Sequence, residues 1–366
     1  MQRPSTARRQ GPSPGYHPRQ PSESSLYRIV EDNLETFLAE NAGAPPAPFA
    51  EASLRFFLEC GVPRFGLVRF ACPGCQSSLF VPFSCKKRTS CPSCDAKRSI
   101  LSSSRLIEEL LPHVAYRQWV LVIPKRLRYF VNRNHSLAGE ISRLLAASLG
   151  RFYRDQAAKS SASALLPEVA QPAQIHVIQR FGAKVNLHVH THAVVSDGVF
   201  ALNGKGMLFF APITQIAREQ FQRLTESLRH KILKRFSRLG HIPEATAQEM
   251  LSWPHSGFSL NATVKIEPQD RAGLERLLSY CLRPAISVKR LRYWPEKDLV
   301  SYYIPKENLS VEWPAVEFLK RFSAIIPPPR VNLVRYGGAL GPRSLLRRLV
   351  SGAACRKVSS AELTGG

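Results

Sequence analysis

The sequence predicts an α+β protein: a mainly antiparallel sheet flanked by helices, preceded by a helical module that carries most of the cysteines. Three observations carry this expectation. Helical and extended segments mix along 366 residues without strict strand–helix alternation, which argues against a doubly wound parallel sheet. Two apolar, β-branched runs, "AQIHVIQR" and "VNLHVHTHAVV", are split only by "FGAK", a hairpin signal centred on Gly182. Six of the eight cysteines fall between Cys60 and Cys94.

Taken in order, residues 1–24 hold five Pro and four Arg with almost nothing to bury, and predict a disordered basic arm. From Leu26, "LYRIVEDNLETFLAENAG" has helical spacing and is ended by Gly43 and "APPAP". "FAEASLRFFLECG" predicts a second helix that runs into the cysteines. "RQWVLVIP" reads as a strand stopped by Pro124, and "SLAGEISRLLAASLGRFYRDQ" as a long helix. After the hairpin, "ITQIAREQFQRLTESLRHKILKRFSRLG" repeats apolar residues at helical spacing. "FSLNATVKI" predicts a strand, and "DRAGLERLLSYCLRP" a short helix with Asp270 as N-cap and Pro284 as its stop. "LRYW" and "LVSYYI" predict a further hairpin. The expected division is 1–24, the arm; 25–110, a helical and metal-binding module; 111–310, a catalytic domain; and 311–366, a basic C-terminal segment.

Lys and Arg outnumber Asp and Glu 51 to 27, a net charge of +24. That imbalance favours a polyanionic partner, most simply nucleic acid, bound with release of counterions. No apolar run approaches membrane-span length and the first residues carry no secretory core, so a soluble, cytoplasmic protein is expected. From Phe318 to Ala361 there are nine Lys or Arg and no acidic residue, which suits either a DNA-holding tail or a solvated face.

Cys72 and Cys75, then Cys91 and Cys94, form two C-x-x-C pairs fifteen residues apart. Each pair offers two thiolates to one tetrahedral ion, so a closed, structural zinc site on these four is expected. Lys86, Lys87, Arg88, Lys97 and Arg98 surround it and suggest contact with DNA. Cys60 and Cys85 are left over, as ordinary cysteines or members of a second site.

His188, His190 and His192 recur at every second position of an apolar run. In a strand they share one face, where they can chelate a divalent cation or simply be satisfied polar residues. A metal beside a nucleophile would support phosphodiester cleavage, by water or by tyrosine. Of ten tyrosines, Tyr280 stands out, on a predicted helix border with Arg276 before it and Arg283 after it. A packing role for Tyr280 fits the same pattern.

The order of "YRQWVLVIPKRLRY", "IQRFGAKVNLHVHTHAVVSDGVF", "LLSYCLRPAISVKRL" and "IIPPPRVNLVRYGGAL" after a cysteine module resembles the rolling-circle transposases of the IS-ninety-one group. These belong to the His-hydrophobic-His (HUH) endonuclease superfamily, and the likeness runs from about Leu26 to about Leu340. It implies an HUH-type nuclease domain, with His190 and His192 as the metal pair, Thr191 between them and His188 an extra neighbour. It also implies Tyr280, in "YCLRP", as the nucleophile that leaves a 5′-phosphotyrosine on single-stranded DNA, with bound Mg²⁺ or Mn²⁺. His188, Asp197 and Glu275 are candidates for a third ligand. Arg276 stands where two-tyrosine members carry the second tyrosine, which implies a single-tyrosine variant. Phe65 and Gly337 stand where relatives often carry histidine. Host replication or helicase factors would open the strands. The alternative is a catalytically silent, zinc-bearing DNA-binding derivative.

Overall fold

The strand pairing around the three histidines organises the molecule. The computed structural model describes residues 20–160, 169–213 and 215–364; most of the expected basic arm lies outside them. Helices α1 (Ser25–Glu40) and α2 (Pro48–Glu59) precede a hairpin of β1 (Leu67–Ala71) and β2 (Ser78–Pro82), then α3 (Pro92–Arg105). Next come β3 (Tyr116–Val122), α4 (Lys125–Arg133), α5 (Ser136–Ser160), β4 (Ala173–Phe181) and β5 (Leu187–Ser196). A small hairpin, β6 (Gly198–Leu202) and β7 (Leu208–Pro212), leads to α6 (Arg218–Arg238) and α7 (Glu244–Ser252). The strand expected in "FSLNATVKI" is broken into β8 (Ser259–Asn261) and β9 (Lys265–Ile266), followed by α8 (Arg271–Cys281). The chain ends through β10 (Leu291–Trp294), β11 (Leu299–Ile304), β12 (Leu309–Trp313), α9 (Ala315–Ile325), β13 (Val334–Gly338), α10 (Arg347–Cys355) and α11 (Ser360–Thr364).

The main sheet has the order β13-β4-β5-β3-β8, with β9 also on β3, and every pairing is antiparallel. The architecture is therefore α+β with antiparallel sheets, as expected. Strand alternation gives the sheet two faces. Val189, Ala193 and Val195 join a core with Trp119, α5 and α6 on one side. Val194 points the other way, into a core with Val177, Leu274, Leu277 and Cys281 of α8. It thus continues the histidine face into apolar packing.

A third core joins α1, α2 and the buried cysteines to α9 and to β10 and β11. The basic C-terminal segment is likewise part of the fold, since β13 pairs with β4 and Phe318 and Phe322 are fully buried.

Just after β5, Asp197 is 2% exposed and accepts hydrogen bonds from Arg117 Nε and Nη2, both at 2.9 Å, and from Tyr153 Oη at 3.2 Å. This buried fork fixes the end of β5 against β3. Asp197→Ala strands Arg117 without its partner and is expected to cost about 3 kcal/mol. Chemical denaturation measures it; a loss under about 1 kcal/mol would contradict a structural role for the pair.

Candidate active site and metal centre

The cysteines do not assemble as their spacing predicts. Cys91 and Cys94 meet Cys60, at the end of α2, and Cys85, just after β2, with all four sulfurs within 4.8 Å of one another. Three of the contacts are 3.7 Å (Cys60–Cys94), 3.8 Å (Cys85–Cys94) and 3.6 Å (Cys60–Cys91). Tetrahedral zinc with Zn–S near 2.3 Å separates its sulfurs by about 3.8 Å, so the cradle has the right size. Cys94 accepts hydrogen bonds from the other three thiols, which push its own thiol down and favour a thiolate there. Backbone N–H groups of Cys85 and Lys87 point at the sulfurs of Cys60 and Cys85, at 3.3 and 3.5 Å. Among the described residues this is the one group of three or more such ligands so gathered.

Cys72 and Cys75 are not part of it. They sit exposed in the turn between β1 and β2. A five-residue strand spans about 17 Å, so the hairpin holds its tip far from the cysteines at its base. The residues left over by C-x-x-C counting are the ones at that base. Gly66, with φ +115°, is required there, because a Cβ would lie 2.6 Å from the Phe83 ring.

The basic rim also divides. Lys86 and Lys97 are exposed, whereas Lys87 lies over the Phe56 ring at 4.1 Å. Arg88 turns inward and donates to the carbonyls of Val331 and Pro328, tying the cysteine module to the C-terminal segment. Arg98 pairs with Asp95 at 2.9 Å and donates to the Lys86 carbonyl. These two arginines hold protein rather than facing a ligand.

The second centre lies on the sheet. A cavity of about 1020 Å³ is lined by His188, His190, His192, Tyr280, Arg283 and Lys306, among others. The His190 and His192 rings are 4.9 Å apart, and the Tyr280 ring stands perpendicular to that of His192 with centroids 5.7 Å apart. Arg283 lies 5.4 Å and Lys306 5.8 Å from the Tyr280 ring centroid. Arg276 is exposed on α8, 3.8 Å from Asp270, and is not among the cavity residues.

The imidazoles suit a cation. Burial pushes His192 down to about 3 and His188 to about 4, and lowers His190, so all three are neutral near pH 7. His190 Nδ1 is 2.8 Å from the His188 carbonyl, which fixes the tautomer with a free lone pair on Nε2. His192 Nε2 is buried without a hydrogen-bond partner. His192 Nδ1 lies 2.9 Å from the Gln118 amide, which is also 3.6 Å from the Cys281 sulfur. Burial pushes the Cys281 thiol up to about 12, so it stays protonated. Gln118 Nε2 donates to the Cys281 sulfur and faces His192 Nδ1, which holds the imidazole in place on the cavity wall.

Of the third-ligand candidates, Asp197 is committed to Arg117, and Glu275 is exposed and outside the cavity; His188 lines it, 5.1 Å from His190 ring to ring. Two contributors escaped the sequence. Gln118 orients His192, and Gln179 on β4 donates to the Cys281 and Tyr280 carbonyls at 2.6 and 3.4 Å, holding the end of α8 over the histidines. Both lie in apolar strands, and only cross-strand register reveals that they share the histidine face.

Cys60→Ser or Cys85→Ser is expected to abolish stoichiometric zinc, while Cys72→Ser/Cys75→Ser keeps it; metal analysis of purified protein decides, and the opposite pattern would restore the spacing argument. Gln118→Leu is expected to weaken Mn²⁺ binding about 10–100-fold in an EPR titration. Unchanged affinity would remove Gln118 from the site.

Among the described residues no helix is long and apolar enough to cross a membrane. Residues 29–123 match the family model of the transposase zinc-binding domain, and residues 174–345 match a transposase family model. Neither the curated proteins nor the solved structures gave a match. With a four-cysteine zinc cradle inside the first match and the histidine sheet inside the second, the chain belongs to the IS-ninety-one-type transposases, DNA-acting proteins with an N-terminal zinc-binding domain followed by a transposase domain.

Proposed function

We propose that this transposase nicks and rejoins single-stranded DNA at the ends of its element through a 5′-phosphotyrosine on Tyr280, as rolling-circle transposition requires. The observation that carries the reading is the Tyr280 ring set edge-on against His192, beside His190, in one large basic cavity. Tyr280 Oη would attack the scissile phosphorus as its proton leaves. The new O–P bond forms as the P–O3′ bond breaks, and the departing 3′-oxygen takes a proton. Rejoining is the reverse: a 3′-hydroxyl attacks the phosphotyrosine and the phenol leaves, so the bond energy is retained.

A divalent cation, Mg²⁺ or Mn²⁺, on His190 and His192 would polarise the phosphoryl oxygen and steady the leaving alkoxide. The donor set favours Mn²⁺, since imidazole suits it better. Arg283 and Lys306 would stabilise the charge that builds on the phenol oxygen and the phosphate. Lys289 and Arg290, exposed at the cavity wall, suit the flanking backbone. An exposed Tyr280 on a helix pinned by Gln179 suits a nucleophile that must meet a long substrate.

The test is a denaturing gel of end-labelled single-stranded DNA from the element's terminus, incubated with protein and Mn²⁺. A protein-linked band is expected for the native chain and should fall to background in Tyr280→Phe and in His190→Ala, with DNA binding retained in both. Cleavage that survives in Tyr280→Phe without a linked band would indicate a water nucleophile instead. Binding without cleavage under any metal would indicate the silent DNA-binding derivative.

A further inference from the structure

On the sheet face opposite Tyr280, a second cleft of about 490 Å³ opens between α5 and the β13–β4 edge. Arg143, Arg151, Arg154, Arg335, His176 and Gln171 line it. His176 pairs with Ala193 across the strands, whereas the next residue, Val177, pairs with His192, so the two clefts lie on opposite sides of one sheet.

Three of the four arginines that line this cleft carry no counter-ion among the described residues. Arg143 is paired with Glu140 at 2.8 Å, but Arg151, Arg154 and Arg335 have no carboxylate partner among the described residues. The cleft is also built rather than incidental. The Arg335 guanidinium occupies the space over Gly139, where a Cβ would stand 2.5 Å from Nη2, so a glycine inside α5 admits it. An interior helical glycine is destabilising by itself, which makes the space it leaves meaningful. His176 is 1% exposed; its Nε2 meets Gln174 Oε1 at 2.9 Å, while its Nδ1 has no partner. Arg335 Nε is a buried donor without an acceptor. An adjoining depression, sharing Gln171 and Gly338, adds Arg343 and Ser344 and extends the cleft along the surface.

Guanidinium groups lining one cleft without counter-ions repel one another, and an anion with several acceptor oxygens relieves this while accepting from the buried Arg335 Nε–H. We propose that this cleft binds the phosphodiester backbone of a DNA segment other than the one at Tyr280. The chain thus holds two stretches of DNA on opposite faces of its sheet. An elongated arginine surface fits a backbone better than an isolated phosphate, although the recognised group is the same. The inference rests on the DNA-acting reading of the chain, not on the Tyr280 chemistry.

The test uses full-length, zinc-loaded protein and the double variant Arg151→Ala/Arg154→Ala, whose side chains lie on the outer part of α5. Arg218→Ala/Arg223→Ala removes the same charge from exposed positions on α6. Affinity for a labelled long DNA is followed by anisotropy against salt concentration. The α5 variant is expected to bind about tenfold more weakly, with the slope of log K against log salt reduced by about two. The α6 variant should change less than about twofold. Covalent capture of a short oligonucleotide at saturation should be unaltered in the α5 variant. Equal losses in both variants, or none in either, would overturn the proposal. So would calorimetric binding of inorganic phosphate that vanishes in the α5 variant while DNA affinity stands, since that marks a small-anion pocket. Failure of the native chain to capture DNA covalently would sink the nuclease reading and leave this one to stand or fall on the affinities.

Discussion

The two-residue alternation of β5, held in register between β3 and β4, is the constraint on which the rest of the molecule depends. Because side chains alternate, His188, His190 and His192 face one side while Val189, Ala193 and Val195 are packed into the core beneath α5 and α6. A slip of one residue would bury three imidazoles in that core and expose its aliphatic residues. The register is therefore fixed by apolar burial on one face, and the chemistry on the other face inherits its geometry. The Arg117–Asp197 fork closes the strand at its far end, which explains why that carboxylate serves the scaffold and not a metal.

The two centres depend on this scaffold in different ways. The cysteine cradle joins the end of α2, the base of the β1–β2 hairpin and the start of α3, and its residues belong to the same core as α9, β10 and β11. The helical N-terminal module is thus cemented to late parts of the chain, with Arg88 adding hydrogen bonds to Pro328 and Val331. At the second centre, Gln179 and Gln118 reach from neighbouring strands to hold α8 and His192. Tyr280 owes its position to the sheet beneath it as much as to its own helix.

Much of the fold was legible because local signals were strong. The hairpin at "FGAK", the Asp270 cap and the helical periodicities of α1, α5, α6 and α8 all correspond to observed elements. The histidine face was legible from period two alone. What failed to read was everything set by distance in space. Pairing Cys72 and Cys75 with Cys91 and Cys94 used sequence spacing, but a rigid hairpin carries the first pair away and brings Cys60 and Cys85 together instead. Arg88 and Arg98 looked like a DNA-facing rim, yet carbonyls and Asp95 claim them. Gln118 and Gln179 are unremarkable glutamines until the strands are paired. The break of "FSLNATVKI" into β8 and β9 follows from both pieces pairing with β3, at different registers.

The most direct test of the central claim, that one sheet face brings Tyr280 and the histidine pair to a single phosphate, is to map the attachment point of captured DNA. Protein incubated with Mn²⁺ and single-stranded terminal DNA would be digested with nuclease and trypsin, and the nucleotide-bearing peptide sequenced by mass spectrometry. The account predicts a residual 5′-phosphorylated nucleotide on Tyr280, in the peptide that begins at Leu277. Attachment at any other tyrosine, such as Tyr303 across the same cavity, would contradict it.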